Sequence, residues 1–209
     1  MRNILITLGN IPVTSSVITS LYPDVKTKFA KIAQLEKAGD IIRLRRNLFV
    51  VNPQETGKPL SSGLIANHLL SPSYVSMQTA LRYYGLIPEA VYTIQSMTFK
   101  AAKEYKTRIG NFCYYHISRA TYPIGITQIK EGDNVYIMAT PEKALCDLIA
   151  NQPGINLRYK KEALEFLEEN LRLDMDRFYQ FNPNIFAEYA KTGKKSTSIL
   201  TILKLLLHE

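Results

Sequence analysis

Apolar positions along the first forty residues recur at helical spacing. Ile4 to Leu8 is a short apolar run within residues 2–8, and it predicts a short helix broken by Gly9-Asn10. Thr14, Ser15 and Ser16 are N-cap candidates for a second helix through Leu21. Tyr22-Pro23-Asp24 predicts a turn, with Asp24 capping a third helix that runs to Ala38 and stops at Gly39. At about 100° per residue, Val25, Phe29, Ile32, Ala33 and Leu35 gather on one side of this helix. Thr27, Lys31 and Gln34 fall opposite, Lys26, Lys28 and Lys37 lie on the flanks, and Glu36 interrupts the apolar side. After Gly39 the pattern becomes strand-like. Ile41 to Leu44 and Leu48 to Val51 predict two strands joined by Arg45-Arg46-Asn47, where Asn accepts the backbone of a tight hairpin. Three helices followed by a basic-tipped hairpin have the order of a winged helix-turn-helix.

The stretch Asn52 to Ser62 is rich in Pro, Gly, Ser and Thr and reads as a linker. Beyond it, Gly63 to Leu70 predicts a helix. A second begins within Ser71 to Ser76, runs to Tyr84 and stops at Gly85. Ala90–Phe99, Phe112–Ser118, Ile124–Ile129 and Val135–Ala139 are rich in Tyr, Ile, Val and Phe and predict strands. A helix then opens at Thr140-Pro141-Glu142, with Thr140 as its cap and Pro141 at its first position. Further helices are expected over about 160–171, 174–181, 184–191 and 196–208. From Ile199 to Leu207 only Thr201 and Lys204 are not Ile or Leu, so this last helix is expected to be buried on more than one side. The fold class expected is α+β. A winged helix over residues 1–55 precedes a domain over 60–209, whose mostly antiparallel sheet is followed by C-terminal helices.

Length and composition add limits. The 209 residues are 46% hydrophobic and 21% charged, an ordinary balance for a folded chain. No apolar run approaches a membrane span or a signal-peptide core, so a cytoplasmic protein with no membrane contact is expected. Cys113 and Cys146 stand far apart and outside any C-x-x-C, which excludes a cysteine-based zinc site or disulfide framework. The net charge is +8, and residues 1–58 hold nine Lys/Arg against four acids. A basic segment of this kind suggests a polyanionic partner. A second basic run, Lys100, Lys103, Lys106 and Arg108, lies between predicted strands. It reads as a solvated hairpin, as an extension of a nucleic-acid surface, or as a contact for RNA.

Catalytic chemistry finds little support. Glu142, Lys143 and Asp147 are the best candidates, as acids near a lysine. However, Glu142 and Asp147 lie five apart and share no helix face. Glu142 suits the helix start and Asp147 suits an ion pair or hydrogen bond. His68, His116 and His208 have no metal-ligand spacing, and no phosphate loop or nucleophile elbow occurs. Neither cofactor nor metal is expected, and the chain reads as non-enzymatic.

Three phrases carry a family resemblance. They are Gly39 to Val51 (GDIIRLRRNLFVV), Ser73 to Leu81 (SYVSMQTAL) and Ala139 to Leu148 (ATPEKALCDL). In this order the chain resembles the AbiEi antitoxins of type IV toxin–antitoxin systems, over about residues 10–150. The departures are Asn47, at a turn position where the family pattern suggests glycine, and an N-terminus short ahead of the second helix, which implies a reduced first helix. The resemblance implies that the N-terminal domain binds double-stranded DNA at the promoter of its own operon. It also implies that the second domain opposes a nucleotidyltransferase-like toxin without a stable complex. The expected DNA contacts are Thr27, Lys28, Lys31 and Gln34 on the third helix. On the hairpin they are Arg43, Arg45 and Arg46, the arginines reaching phosphates. The alternative is a protein- or RNA-interaction module whose winged helix no longer binds DNA.

Overall fold

The computed structural model describes residues 4–208. A 3-10 turn, Ile4–Leu8, occupies the expected first helix; residues 2 and 3 of that helix lie outside the described residues. Helix α1 (Ser15–Ser20) follows, with Thr14 at its N-cap, although the Thr14 side chain makes no capping bond. Helix α2 (Lys28–Ala38) has its N-cap at Thr27, three residues beyond the expected Asp24. It ends as expected at Gly39, whose φ of 86° is the left-handed conformation that suits glycine. Strands β1 (Ile41–Arg45) and β2 (Leu48–Val51) form an antiparallel hairpin, with a register shift between Arg43 and Arg45. Val13 bridges Phe49 through reciprocal backbone bonds of 2.8 and 2.9 Å and so adds a third edge to the hairpin.

The hairpin belongs to two cores. Ile41, Phe49 and Val51 pack with Leu5, Ile18, Ile32 and Leu35. Leu44, Leu48 and Val50 face the other way, into the main core of the chain. Every residue of β2 is therefore buried. The expected linker is also ordered: α3 (Pro53–Thr56) is capped by Asn52, and Ser61 caps α4 (Ser62–Leu69) by accepting the Leu64 N–H.

A six-stranded sheet forms the rest of the frame, in the order β5-β6-β4-β3-β8-β7. Its strands are β3 (Tyr74–Val75), β4 (Thr93–Thr98), β5 (Lys103–Thr107), β6 (Gly110–His116), β7 (Ile126–Glu131) and β8 (Asn134–Ala139). The sheet is mixed, with three antiparallel pairings as expected of a mostly antiparallel sheet and two parallel ones, β4–β6 and β3–β8. Two elements were not foreseen. Tyr74-Val75, expected to open a helix, is a central strand, and the basic run supplies the edge strand β5. The two-residue β3 meets β8 only through Val75 and Met138. One residue away, Asn67 of α4 takes over the pairing: its Oδ1 accepts the Ile137 N–H at 2.6 Å and its Nδ2 donates to the Ile137 carbonyl at 3.3 Å. A side-chain amide thus satisfies backbone groups that a longer strand would have paired.

Helices α5 (Met77–Tyr83) and α6 (Pro141–Asn151) pack on each other and on the sheet. The C-terminal helices are α7 (Lys160–Glu165, continued by a π turn to Asn170), α8 (Met175–Phe178), α9 (Pro183–Thr192) and α10 (Ser196–Leu206). Helix α10, expected to be buried on more than one side, buries a broad arc that also takes in Ser198 and Thr201. Ile199, Ile202 and Leu206 enter the core, while Leu200 and Leu207 are exposed on the other side.

Candidate functional site

Two places in the fold gather the residues singled out above. The first is α2 with the β1–β2 hairpin. Ile32 and Leu35 anchor α2 in the N-terminal core and so fix the rotation of the helix. That rotation overturns part of the expected face: Phe29 is 87% exposed and Ala33 is exposed as well. Thr27 and Lys28 are exposed at the start of the helix. Lys31 is half-buried, with Nζ 4.4 Å from the Tyr22 ring centroid and 3.4 Å from Oε1 of Gln34. Gln34 is exposed.

The hairpin arginines do three different things. Arg43 turns back onto α2, where Nε and Nη2 donate to both carboxylate oxygens of Glu36. The fork-to-carboxylate contact holds the Glu36 carboxyl below its ordinary range and makes Arg43 still harder to deprotonate. This contact also resolves the apparent misplacement of Glu36 on the apolar side. Arg45 Nε donates to the Leu69 carbonyl at 3.1 Å, at the end of α4. Arg46 alone is exposed with its side chain unpartnered among the described residues. At the turn, Asn47 adopts φ 60°, and its Oδ1 accepts the Ser15 backbone N–H at 3.2 Å and the Ser15 hydroxyl. Asn47 therefore closes the turn and ties it to the start of α1, a bond that glycine could not make.

The second basic run comes near this surface. Strand β5 lies beside β1, and Arg108 is close enough to Glu36 to help depress its pKa. Lys103 and Lys106 are exposed, with Lys103 Nζ 5.0 Å from the Tyr105 ring centroid.

The second place is α6. Pro141 stands at its first position, but Thr140, expected to cap it, leaves its buried hydroxyl without a partner. Glu142 points away from the other candidates and accepts the Asn182 N–H at 3.0 Å, at the start of α9. Lys143 and Asp147 are both fully buried, one helical turn apart, with Nζ 3.4 Å from Oδ1. Lys143 Nζ also donates to the Thr121 carbonyl at 2.9 Å and lies 4.4 Å from the Tyr189 ring centroid. Asp147 accepts three hydroxyls: Ser76 at 2.7 Å and Tyr74 at 3.0 Å on Oδ2, and Tyr189 at 3.1 Å on Oδ1. Burial pushes the Asp147 carboxyl up and the Lys143 ammonium down, and their mutual attraction opposes both shifts. The phenols of Tyr74 and Tyr189 are pushed up by burial and by the Asp147 charge. A substrate cannot reach these groups without opening the core. Their chemistry is that of a closed polar knot joining β3, α6 and α9. The partners Tyr74, Ser76 and Tyr189 were not foreseen. The one available signal was Lys143 and Asp147 at i,i+4 spacing in a helix whose other residues from Ala144 to Ala150 are apolar.

Gly125 stands against this knot. Its φ is 58°, and a Cβ there would lie 2.8 Å from the Cβ of Lys143. A left-handed non-glycine residue costs about 1–2 kcal/mol before any clash. Gly125→Ala is therefore expected to lower the melting temperature by about 2–8 °C. Thermal denaturation followed by circular dichroism checks this.

A cavity of about 430 Å³ lies where the N-terminal segment meets the β7–β8 turn, lined by Asn10, Lys58, Ser61, Glu131 and Asp133 among others. On its wall, Asn10 donates to the carbonyls of Lys58 and Pro59 at 2.6 and 3.0 Å. Among the described residues, no three His, Cys, Asp or Glu side chains come together as a metal site, and no helix is long and apolar enough to cross a membrane. Both cysteines are free. In comparison with known proteins, the chain matches no protein-family model and no curated sequence.

Proposed function

We propose that the chain is a DNA-binding transcriptional regulator and antitoxin that represses its own operon and opposes a nucleotidyltransferase-like toxin without a stable complex. The observation that carries the DNA-binding part is the order of the N-terminal elements. A 3-10 turn, the Val13 bridge, α1, α2 and a two-stranded hairpin follow one another as in a winged helix. Exposed Thr27, Lys28 and Gln34 on α2 and Arg46 at the hairpin tip support contact with a duplex. The antitoxin part rests on the resemblance of the three phrases quoted above. A non-catalytic role is supported by Glu142 being engaged with the Asn182 N–H at the start of α9 and by the closure of Lys143 and Asp147 to solvent.

The test is a titration of the full chain against the region upstream of its own gene and against a scrambled duplex, over a range of salt. Rescue of cells expressing the neighbouring toxin is measured beside it. Arg46→Ala is expected to weaken binding to both duplexes and to flatten the slope of log affinity against log salt by about 0.9, the value for one phosphate contact. Arg43→Ala changes that slope less, because Glu36 already neutralises Arg43. Absence of any shift at low salt overturns the DNA-binding reading. Absence of rescue overturns the antitoxin reading.

A second reading, an interaction module without DNA affinity, is favoured by one observation. Arg43 and Arg45 are both engaged within the chain, so the hairpin presents fewer free cations than its sequence offers. The same titration separates the two readings.

A further inference from the structure

We infer that the exposed face of α2 reads thymine methyl groups, so that the DNA site beneath it is rich in A·T pairs. This rests on the DNA-binding reading above. With Ile32 and Leu35 turned into the core, the helical period brings Phe29, Ala30, Ala33 and Gln34 onto the outward side. All four are exposed, and Phe29 is 87% so. A single exposed apolar side chain is ordinary on a protein surface. Here, however, the phenylalanine sits with two alanines on one face, and the charges lie at its ends: Lys26 and Lys28 before it, Lys37 after it.

That arrangement fits one ligand chemistry. The small alanines let the helix axis approach the floor of a major groove, and the lysines at the ends meet phosphates. Guanine is read by paired donors from Arg or Lys; the one lysine beside the middle of this face, Lys31, is half-buried, with Nζ over the Tyr22 ring and against Oε1 of Gln34. The 5-methyl of thymine is the apolar group that base pairs offer in the major groove, and Phe and Ala are side chains that contact it. Gln34 supplies the amide that pairs with adenine N6 and N7.

The experiment uses the full chain to select duplexes from a randomised pool, then replaces each thymine of the enriched site by deoxyuridine, which removes only the methyl. For the natural sequence, one or two replacements are expected to weaken binding about fourfold each, the cost of one apolar carbon left unburied. Phe29→Ala should bind thymine and uracil duplexes alike at one of those positions. Gln34→Ala should keep the thymine–uracil difference while losing preference at an adjacent A·T pair. Phe29 is outside both cores, so circular dichroism should show an unchanged fold. If Phe29→Ala keeps the full thymine–uracil difference, or if the enriched site holds only G·C pairs under α2, the inference is overturned while DNA binding stands. If no duplex is enriched or shifted at low salt, DNA binding itself is overturned, and with it the thymine face. In that event, saturable binding of a protein would mark the apolar face as a protein surface instead.

Discussion

Replacing Asp147 by alanine should cost about 3–5 kcal/mol of folding stability, because the change leaves Lys143 charged, buried and without its counter-ion. Lys143 is fully buried, and its remaining polar partner is the Thr121 carbonyl. Three hydroxyls, those of Tyr74, Ser76 and Tyr189, lose their acceptor at the same time. Glu142, five residues earlier on the same helix, gives the contrast. Its carboxylate lies near the start of α6 and accepts one N–H, so Glu142→Ala should cost only about 0.3–1 kcal/mol. Urea denaturation of both variants separates the two cases. The double change Lys143→Met with Asp147→Leu should recover much of the loss, since well-packed apolar groups often replace a buried pair at little cost. If Asp147→Ala unfolds at the same urea concentration as the natural sequence, Lys143 is not held as a buried charge.

The knot also bears on what α6 does. A phrase such as ATPEKALCDL suggests chemistry because it brings acids and a lysine together. In the fold those side chains part company. Glu142 goes to α9, while Lys143 and Asp147 go inward and hold the sheet to the C-terminal helices. Variants at Asp147 should therefore lose stability, and variants at Glu142 should lose little.

Much of the frame was legible because local rules and packing agree. The end of α2 at Gly39, the β1–β2 hairpin and the opening of α6 at Pro141 follow from capping and turn chemistry confined to a few neighbouring residues. The misses occur where a distant partner decides. Val25 and Phe29 share a helical stripe with Ile32 and Leu35, yet α2 starts only at Lys28, and the N-terminal core takes hold of Ile32 and Leu35 alone. Tyr74-Val75 lies among residues whose local pattern suits a helix. It becomes a strand because β4 and β8 flank it and Asp147 takes the Tyr74 hydroxyl. Arg43 and Arg45 looked alike on a basic hairpin. Their different fates depend on Glu36, seven residues back, and on the Leu69 carbonyl, twenty-four residues on. No local pattern contains such pairings.

The same hairpin leads to the second large effect: residues 60–209 expressed alone should be much less stable than the same residues in the full chain. A division at the Pro- and Gly-bearing stretch 52–62 looks natural in the sequence, but the hairpin crosses it in space. Leu44, Leu48 and Val50 pack into the main core, and Arg45 holds the end of α4. Removing residues 1–59 uncovers the patch that those three side chains fill. At about 1.5–3 kcal/mol for each buried aliphatic side chain, the loss is on the order of 5 kcal/mol. Such a loss is comparable with the whole stability of many domains. The milder form of the experiment keeps the chain intact. Leu48→Ala should cost about 2–5 kcal/mol and lower the stability of both cores in a single transition, because β2 is shared between them. Hydrogen exchange read by mass spectrometry follows the two cores separately. Faster exchange in α2 and in the central sheet alike is the expected result. Exchange that rises in α2 while the sheet stays protected would mean that the hairpin is held by the N-terminal core alone, and that residues 60–209 stand by themselves.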